Sequence, residues 1–322
     1  MNYALLVGIN KYAQPGNDLR GCVNDVTAMR ALLTRTYGFA PEHIRLLTDR
    51  QATQQAILEQ LDWLIGSARA GDQLVWHYAG HGSQVRDTHG DELDDYLDEI
   101  ICPYDMDWDN PFTDDLIAER FRQIPVGALL NFIADCCHSG SVSRDWSGPA
   151  NGTATPERNR PLQTAVPAPI RFLPPPTEMA GRCLEQPGLP VRRFGRRWPI
   201  SAPARVPPTT QPPNSPTAQP QKLPTPQPPN HPTSQPSDII FTEQRHLLLS
   251  GCRDNQTSAD AVFNGKPGGA LTTSLVQALT AEPKQDWLAL HSALKTTLRA
   301  SGFAQVPQLT GPRSVLEKAV FS

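Results

Sequence analysis

Two adjacent cysteines, Cys136 and Cys137, and a glycine-flanked histidine, His81, are the residues in this sequence best equipped for covalent chemistry. A thiol becomes a useful nucleophile when a nearby base takes its proton or a cation stabilises the thiolate, and near neutral pH an imidazole can do both. Either residue type alone is commonplace in a protein core. What singles these out is their setting: His81 follows the apolar stretch 72–78 (DQLVWHY) and precedes Gly82, while the cysteines follow 129–134 (LLNFIA) and precede Gly140. The residues alone leave Cys136 and Cys137 as alternative nucleophiles, facing opposite ways if the chain is extended. His138, next to the thiol on a turn, is poorly placed to serve as its base.

The elements around these residues read as an α/β protein. Strands are expected at 3–9, 43–47, 72–78 and 129–134, with helices from about Asn24 or Asp25 to Tyr37 and from a Thr53 cap onward, where Ile57, Leu58, Leu61, Leu64 and Ile65 recur at helical spacing. Alternating strands and amphipathic helices imply right-handed crossovers, a parallel sheet and reactive groups at the carboxyl ends of its strands. Two such strand ends open onto one edge, which makes a Cys–His dyad geometrically plausible. Short strands at 100–102 and 261–263, helices at 114–121, 269–279 and from Asp286 to Ala300, and strands at 245–251 and 315–321 complete the reading.

Of 322 residues 33 are proline, most of them between Pro149 and Pro236, so this part adds little to a core and reads as flexible and locally polyproline-like. Its first half is studded with arginine, Arg158, Arg160, Arg171, Arg182, Arg192, Arg193, Arg196, Arg197 and Arg205, which gives the spacer an expected role. A net charge of −3 supplies no pull toward nucleic acid or membrane. Six scattered cysteines, an N-terminus without a leader pattern and the lack of a bilayer-length apolar run read as a cytoplasmic protein.

HYAGHGSQ (77–84) and DCCHSG (135–140) together resemble the caspase clan, closest to the metacaspases and their prokaryotic relatives, the orthocaspases. A histidine about 50 residues upstream of the cysteine is the caspase-type spacing, and the QACxG string of animal caspases is absent. LLVGINKY, LRGCVND and DEIICPYD, then LSGCRDNQTSADA and VPQLTG, extend the resemblance in order. It implies a large-subunit-like catalytic part over 1–146, a proline-rich flexible linker over 147–240 and a small-subunit-like part over 241–322 that completes the same domain. The implied fold is a caspase-like α/β/α sandwich, a mainly parallel sheet of about six strands with helices on both faces.

The resemblance also assigns roles. It implies Cys137 as nucleophile, with Cys136 where metacaspases commonly carry serine, His81 as base, and the backbone amides of Gly82 and Cys137 as oxyanion donors. Asp25 and Asp135, with Ser250 and Asp254 as weaker candidates, would line an S1 pocket for arginine or lysine. Asp98, Asp114, Asp115 and Asp145 would bind calcium as a regulator, although the acidic loop 89–99 lacks EF-hand spacing; the chemical step itself needs no cofactor. The expectation is a monomeric cysteine endopeptidase acting on proteins after Arg or Lys, made as a zymogen that it or another protease activates in the linker. The alternative is a silent caspase-like scaffold using the proline-rich segment as an interaction module. An Asp-specific protease is disfavoured, because Asp25 and Asp135 would repel an acidic substrate.

Overall fold

The computed structural model describes residues 1–86, 97–137, 169–176, 238–253 and 256–322. Apolar runs form the centre of a seven-stranded sheet. In chain order its strands are β1 (Asn2–Gly8), β2 (Ile44–Thr48), β3 (Gln73–Ala79), β7 (Leu129–Asp135), β8 (Ile239–Phe241), β9 (His246–Ser250) and β12 (Gln308–Gly311). Their spatial order is β2-β1-β3-β7-β9-β12-β8. Strands β2 to β9 in that order run parallel, β12 is antiparallel to β9, and β8 is parallel to β12. Because β3 and β7 are buried on both faces, they read in sequence as nearly continuous apolar runs.

Helix α1 (Cys22–Thr36) packs against α4 (Ala270–Ala281), and α4 against α5 (Trp287–Ala300), while α2 (Gln54–Gly66) packs against α3 (Asp114–Phe121). Their apolar faces cover the sheet with Val26, Met29 and Leu33 from α1, and Ile57, Leu61 and Leu64 from α2. Thr53 caps α2 by accepting from the Ala56 amide at 3.2 Å, and Asp286 caps α5 by accepting from the Ala289 amide at 2.7 Å. A three-stranded antiparallel sheet, β4 (Gly82–Arg86), β5 (Leu97–Ile101) and β6 (Phe112–Thr113), and a hairpin of β10 (Asp260–Phe263) and β11 (Lys266–Gly269) flank the edge where β3 and β7 end.

Three expectations are corrected. Neither Asn24 nor Asp25 caps α1: Gly21 is its N-cap, and the Asp25 carboxylate accepts from the Gly269 amide instead. Residues 315–321 are no strand. The closing strand is β12, and Pro312 starts a short helix, α6 (Arg313–Leu316), after which Phe321 packs edge-on against Trp287 and Tyr37. The linker 147–240 is not uniformly a loose spacer, because 169–173 pairs with the domain through two β-bridges and Arg171, Phe172 and Leu173 are buried.

Candidate active site

Strand register sets the site. Ala79, the last residue of β3, stands opposite Asp135, the last residue of β7. His81 and Cys137, each two residues further on, therefore leave the same sheet edge from adjacent strands. The turn between Ala79 and His81 requires Gly80, whose added Cβ would lie 2.6 Å from the Tyr78 hydroxyl and 3.0 Å from that of Tyr12. Those hydroxyls fix the His81 backbone: its amide donates to Tyr12 at 2.7 Å, and Tyr78 donates to its carbonyl at 2.7 Å.

The imidazole has a defined tautomer. Nε2 lies 2.8 Å from the Asn17 carbonyl, which can only accept, so Nε2 carries the proton and Nδ1 keeps its lone pair. Nδ1 is buried without a hydrogen-bond partner. Burial pushes the His81 pKa down to about 4, so the ring is neutral at physiological pH. The Cys137 sulfur, fully buried, is not bonded to Nδ1; it accepts from the Ser258 amide at 2.6 Å. Cys136 packs in the main apolar core, in a different cluster from Cys137, and burial pushes its thiol pKa far up.

A segment of the chain's own linker lies across these groups. The Arg171 carbonyl accepts from the Gly82 amide at 3.0 Å and the Cys137 amide at 3.1 Å. Its guanidinium, with no exposed surface, pairs with three carboxylates: Asp25 at 2.5 Å, Asp260 at 3.0 Å and Asp135 at 3.2 Å. Gly269 forms a close wall, since a Cβ there would come within 2.2 Å of the Asp135 carboxylate and 2.6 Å of the guanidinium. On one side of Arg171, its amide donates to the Ser258 carbonyl, and the Asp260 amide donates to the Pro169 carbonyl. On the other, the Leu173 amide donates to the Gly82 carbonyl. The run thus adds a short strand to the end of β10 and to Gly82.

The carboxylates differ. Burial raises Asp135, but Arg171 together with hydrogen bonds from Thr272 and Ser258 outweighs it and leaves the group below the usual carboxylate range. Asp25 has fewer donors; burial, reinforced by repulsion from Asp135, pushes it up to about 6 despite Arg171. Asp260 is held by the amides of Arg20 and Gly21 at 2.8 and 3.0 Å.

Of the residues singled out in sequence, His81, Gly82, Cys137, Asp25 and Asp135 converge on Arg171. Ser250 does not: its hydroxyl donates to the Cys252 carbonyl. Asp254 and Asp145, like His138 and Gly140, lie outside the described residues. Asp98 is buried on β5, and Asp114 and Asp115 open α3. Among the described residues no group of three metal-capable side chains comes together, and Asp145 and most of the acidic loop lie outside them. Sequence reasoning missed Asp260, Ser258, Gly269 and the Asn17 carbonyl. Asp260 and Ser258 lie in the motif string 249–261, but no spacing rule turned that string toward the guanidinium.

The sheet and its helical layers define a caspase-like α/β protein. A solved structure of a Geobacter sulfurreducens protein shares this fold with a TM-score of 0.62 at 21% identity, covering 100% of this chain and 98% of that one. Caspase-1 from Spodoptera frugiperda matches at 0.50 and 12%, covering 100% and 89%. Residues 2–144 match the family described as metacaspase, peptidase C14 domain. Metacaspase-1 of Schizosaccharomyces pombe is 30% identical over 314 residues, 95% of this chain and 66% of that protein. Metacaspase-1 of Scheffersomyces stipitis is 32% identical over 315 residues, 95% of this chain and 70% of that protein. The chain belongs to the metacaspases, a family of caspase-like cysteine peptidases.

Proposed function

We propose that this chain is an endopeptidase that cleaves after arginine or lysine through Cys137 and His81, and that it is made as a zymogen whose own Arg171 occupies the site. The observation that carries this reading is the double capture of Arg171, its carbonyl between two backbone amides and its guanidinium among three carboxylates. A carbonyl held by preformed donors is set to become an oxyanion, and three acids suit a forked cation. When the Cys137 side chain turns from Ser258 to Nδ1 of His81, the imidazole takes the thiol proton and sulfur attacks the carbonyl. The Gly82 and Cys137 amides hold the negative oxygen. His81 then returns the proton to the departing amine, leaving a thioester that a His81-activated water hydrolyses. In cis this breaks the bond between Arg171 and Phe172.

The test compares Arg, Lys and Asp at P1 in otherwise identical peptides. Turnover is expected for Arg and Lys, none for Asp, and none in Cys137→Ala. Equal turnover of the Asp peptide, or fragmentation of Cys137→Ala unaided, overturns the reading. Asp25 adds a pH dependence. The Asp25 carboxyl must be ionised to pair with a cation, and burial holds its pKa up at about 6 although the Arg171 guanidinium lowers it. KM for arginyl peptides is therefore expected to fall as pH rises through about 6 and to level off above it. Asp25→Asn should flatten that dependence; an unchanged profile assigns it elsewhere.

Calcium enters this proposal as a regulator and in no chemical step. If Asp98, Asp114, Asp115 and Asp145 hold it, EGTA lowers activity and Ca²⁺, not Mg²⁺, restores it; chelator-insensitive cleavage removes calcium from the account. A monomer belongs to the same proposal: the sheet ends on the three-residue strand β8, and so short an edge strand offers little backbone for pairing with a second chain.

A further inference from the structure

The segment held in the groove carries information beyond Arg171. Following the scissile bond, Phe172 is 7% and Leu173 6% exposed, whereas before it Ile170 is only half-buried and Pro169 is exposed. Phe172 is buried with Cys137 and Cys252 in a small cluster that the half-buried Ile170 only borders, and sulfur offers a soft, polarizable wall for an aromatic ring. The Cys252 thiol is kept in place by a hydrogen bond to the Gln256 carbonyl at 3.2 Å. Leu173 joins the main apolar core of the domain. Backbone pairing supports the same side: Gly82 faces Phe172 in a parallel bridge and accepts from the Leu173 amide at 3.0 Å, while its own amide holds the Arg171 carbonyl. Before the bond the side-chain contact is smaller, a half-buried Ile170 against the edge of the same cluster, and the backbone supplies the Ile170–Ala259 bridge and the hydrogen bonds of Pro169 and Arg171. Backbone pairing accepts many sequences; buried side chains discriminate.

Resting on the endopeptidase reading of this site, we infer that the groove selects substrates on the primed side, taking an aromatic residue at P1′ and a branched aliphatic at P2′, with little selection at P2 and P3. The substrate class is a cationic residue followed by an aromatic–aliphatic pair, the pattern of this chain's own Arg171–Phe172–Leu173.

The full chain carrying Cys137→Ala and Arg171→Ala, which cannot turn over and lacks its own cation in the pocket, is titrated into a fluorescein-labelled peptide of residues 169–174 (PIRFLP), read by anisotropy. Any residual competition from the tethered segment is common to every peptide and cancels from the ratios. Phe172→Ala or Leu173→Ala in the peptide is expected to weaken binding by about ten-fold or more each, and Ile170→Ala by less than about three-fold, given the side-chain area each loses. Primed substitutions that stay within about two-fold of the parent, or a parent peptide that does not bind, overturn the inference. Arg171→Glu in the peptide reads the other proposal separately: if it binds as well as the parent, the cationic P1 assignment fails while the ranking of Phe172 and Leu173 still decides the primed side.

Discussion

Replacing Arg171 by alanine in the full chain is expected to abolish the break between residues 171 and 172 and, in the same protein, to raise the initial rate on arginyl peptides. The opposite signs follow from the two roles the proposal gives Arg171. Its carbonyl is the one presented to sulfur, so without a side chain in the acidic pocket that carbonyl is no longer held in register. Its guanidinium also blocks the pocket to any other cation. A segment tethered within its own chain competes at an effective concentration on the order of millimolar, so removing its anchor is expected to raise turnover of an added peptide by about ten-fold or more. Arg171→Lys, whose ammonium still reaches carboxylates but cannot fork between them, should be cut more slowly at the same bond. Mass spectrometry of the fragments and a peptide assay on the uncut protein measure both effects. An alanine variant still cut at 171–172, or no faster toward peptides than the unaltered chain, rules out Arg171 as the occupant that matters.

Strands β1, β3, β7 and β9 were legible because they are buried along nearly their whole length, whereas the short strands β8 and β12 were not read as strands; the 56-residue separation of His81 and Cys137 equals that of Ala79 and Asp135, which are register partners. Two helix starts were legible because Thr53 and Asp286 act within their own turns. The rest of the site depends on contacts that no local pattern encodes. Asp260 is drawn to Asp25 through the amides of Arg20 and Gly21, some 240 residues away along the chain. Ile170 to Leu173 is too short a run, set between Pro169 and Pro174, to be distinguished from the proline-rich sequence around it; it becomes a strand only because β10 and Gly82 provide its partners. Residues 315–321 were misread because Val315, Leu316, Val320 and Phe321 are apolar in a short segment, where periodicity cannot separate a strand from a helical turn. Pro312 and the packing of Phe321 on Trp287 settled it.

Asp135→Asn should cut kcat/KM for arginyl peptides by about a hundred-fold to a few thousand-fold while leaving the fold in place, because removing one member of a buried ion pair costs about 3–5 kcal/mol. The substitution isolates charge. One Asp135 oxygen accepts from the Thr272 amide at 2.9 Å and the Thr272 hydroxyl at 2.7 Å, and the other from the Ser258 hydroxyl at 2.7 Å. An asparagine can keep its oxygen toward Thr272 and turn its amide toward the Ser258 oxygen, so the hydrogen bonds have replacements but the anion does not. Asp135→Ala leaves those donors buried and unpaired, at about 1–3 kcal/mol each, and should lower the melting temperature as well. Acid should imitate the asparagine variant. With a folded-state pKa depressed below its unfolded value, Asp135 stabilises the folded chain fully above the unfolded pKa of about 3.9, and this contribution is lost as pH falls through the folded value. Asp25, raised to about 6, has the opposite sign and opposes folding increasingly as pH rises from about 4 to 6. Melting temperatures measured from pH 3 to 7 should therefore show Asp135→Asn losing its deficit toward the acid end and Asp25→Asn gaining relative stability toward pH 7. If the two variants keep constant offsets from the parent across that range, neither carboxylate titrates as its surroundings require, and the charge account of the pocket is wrong.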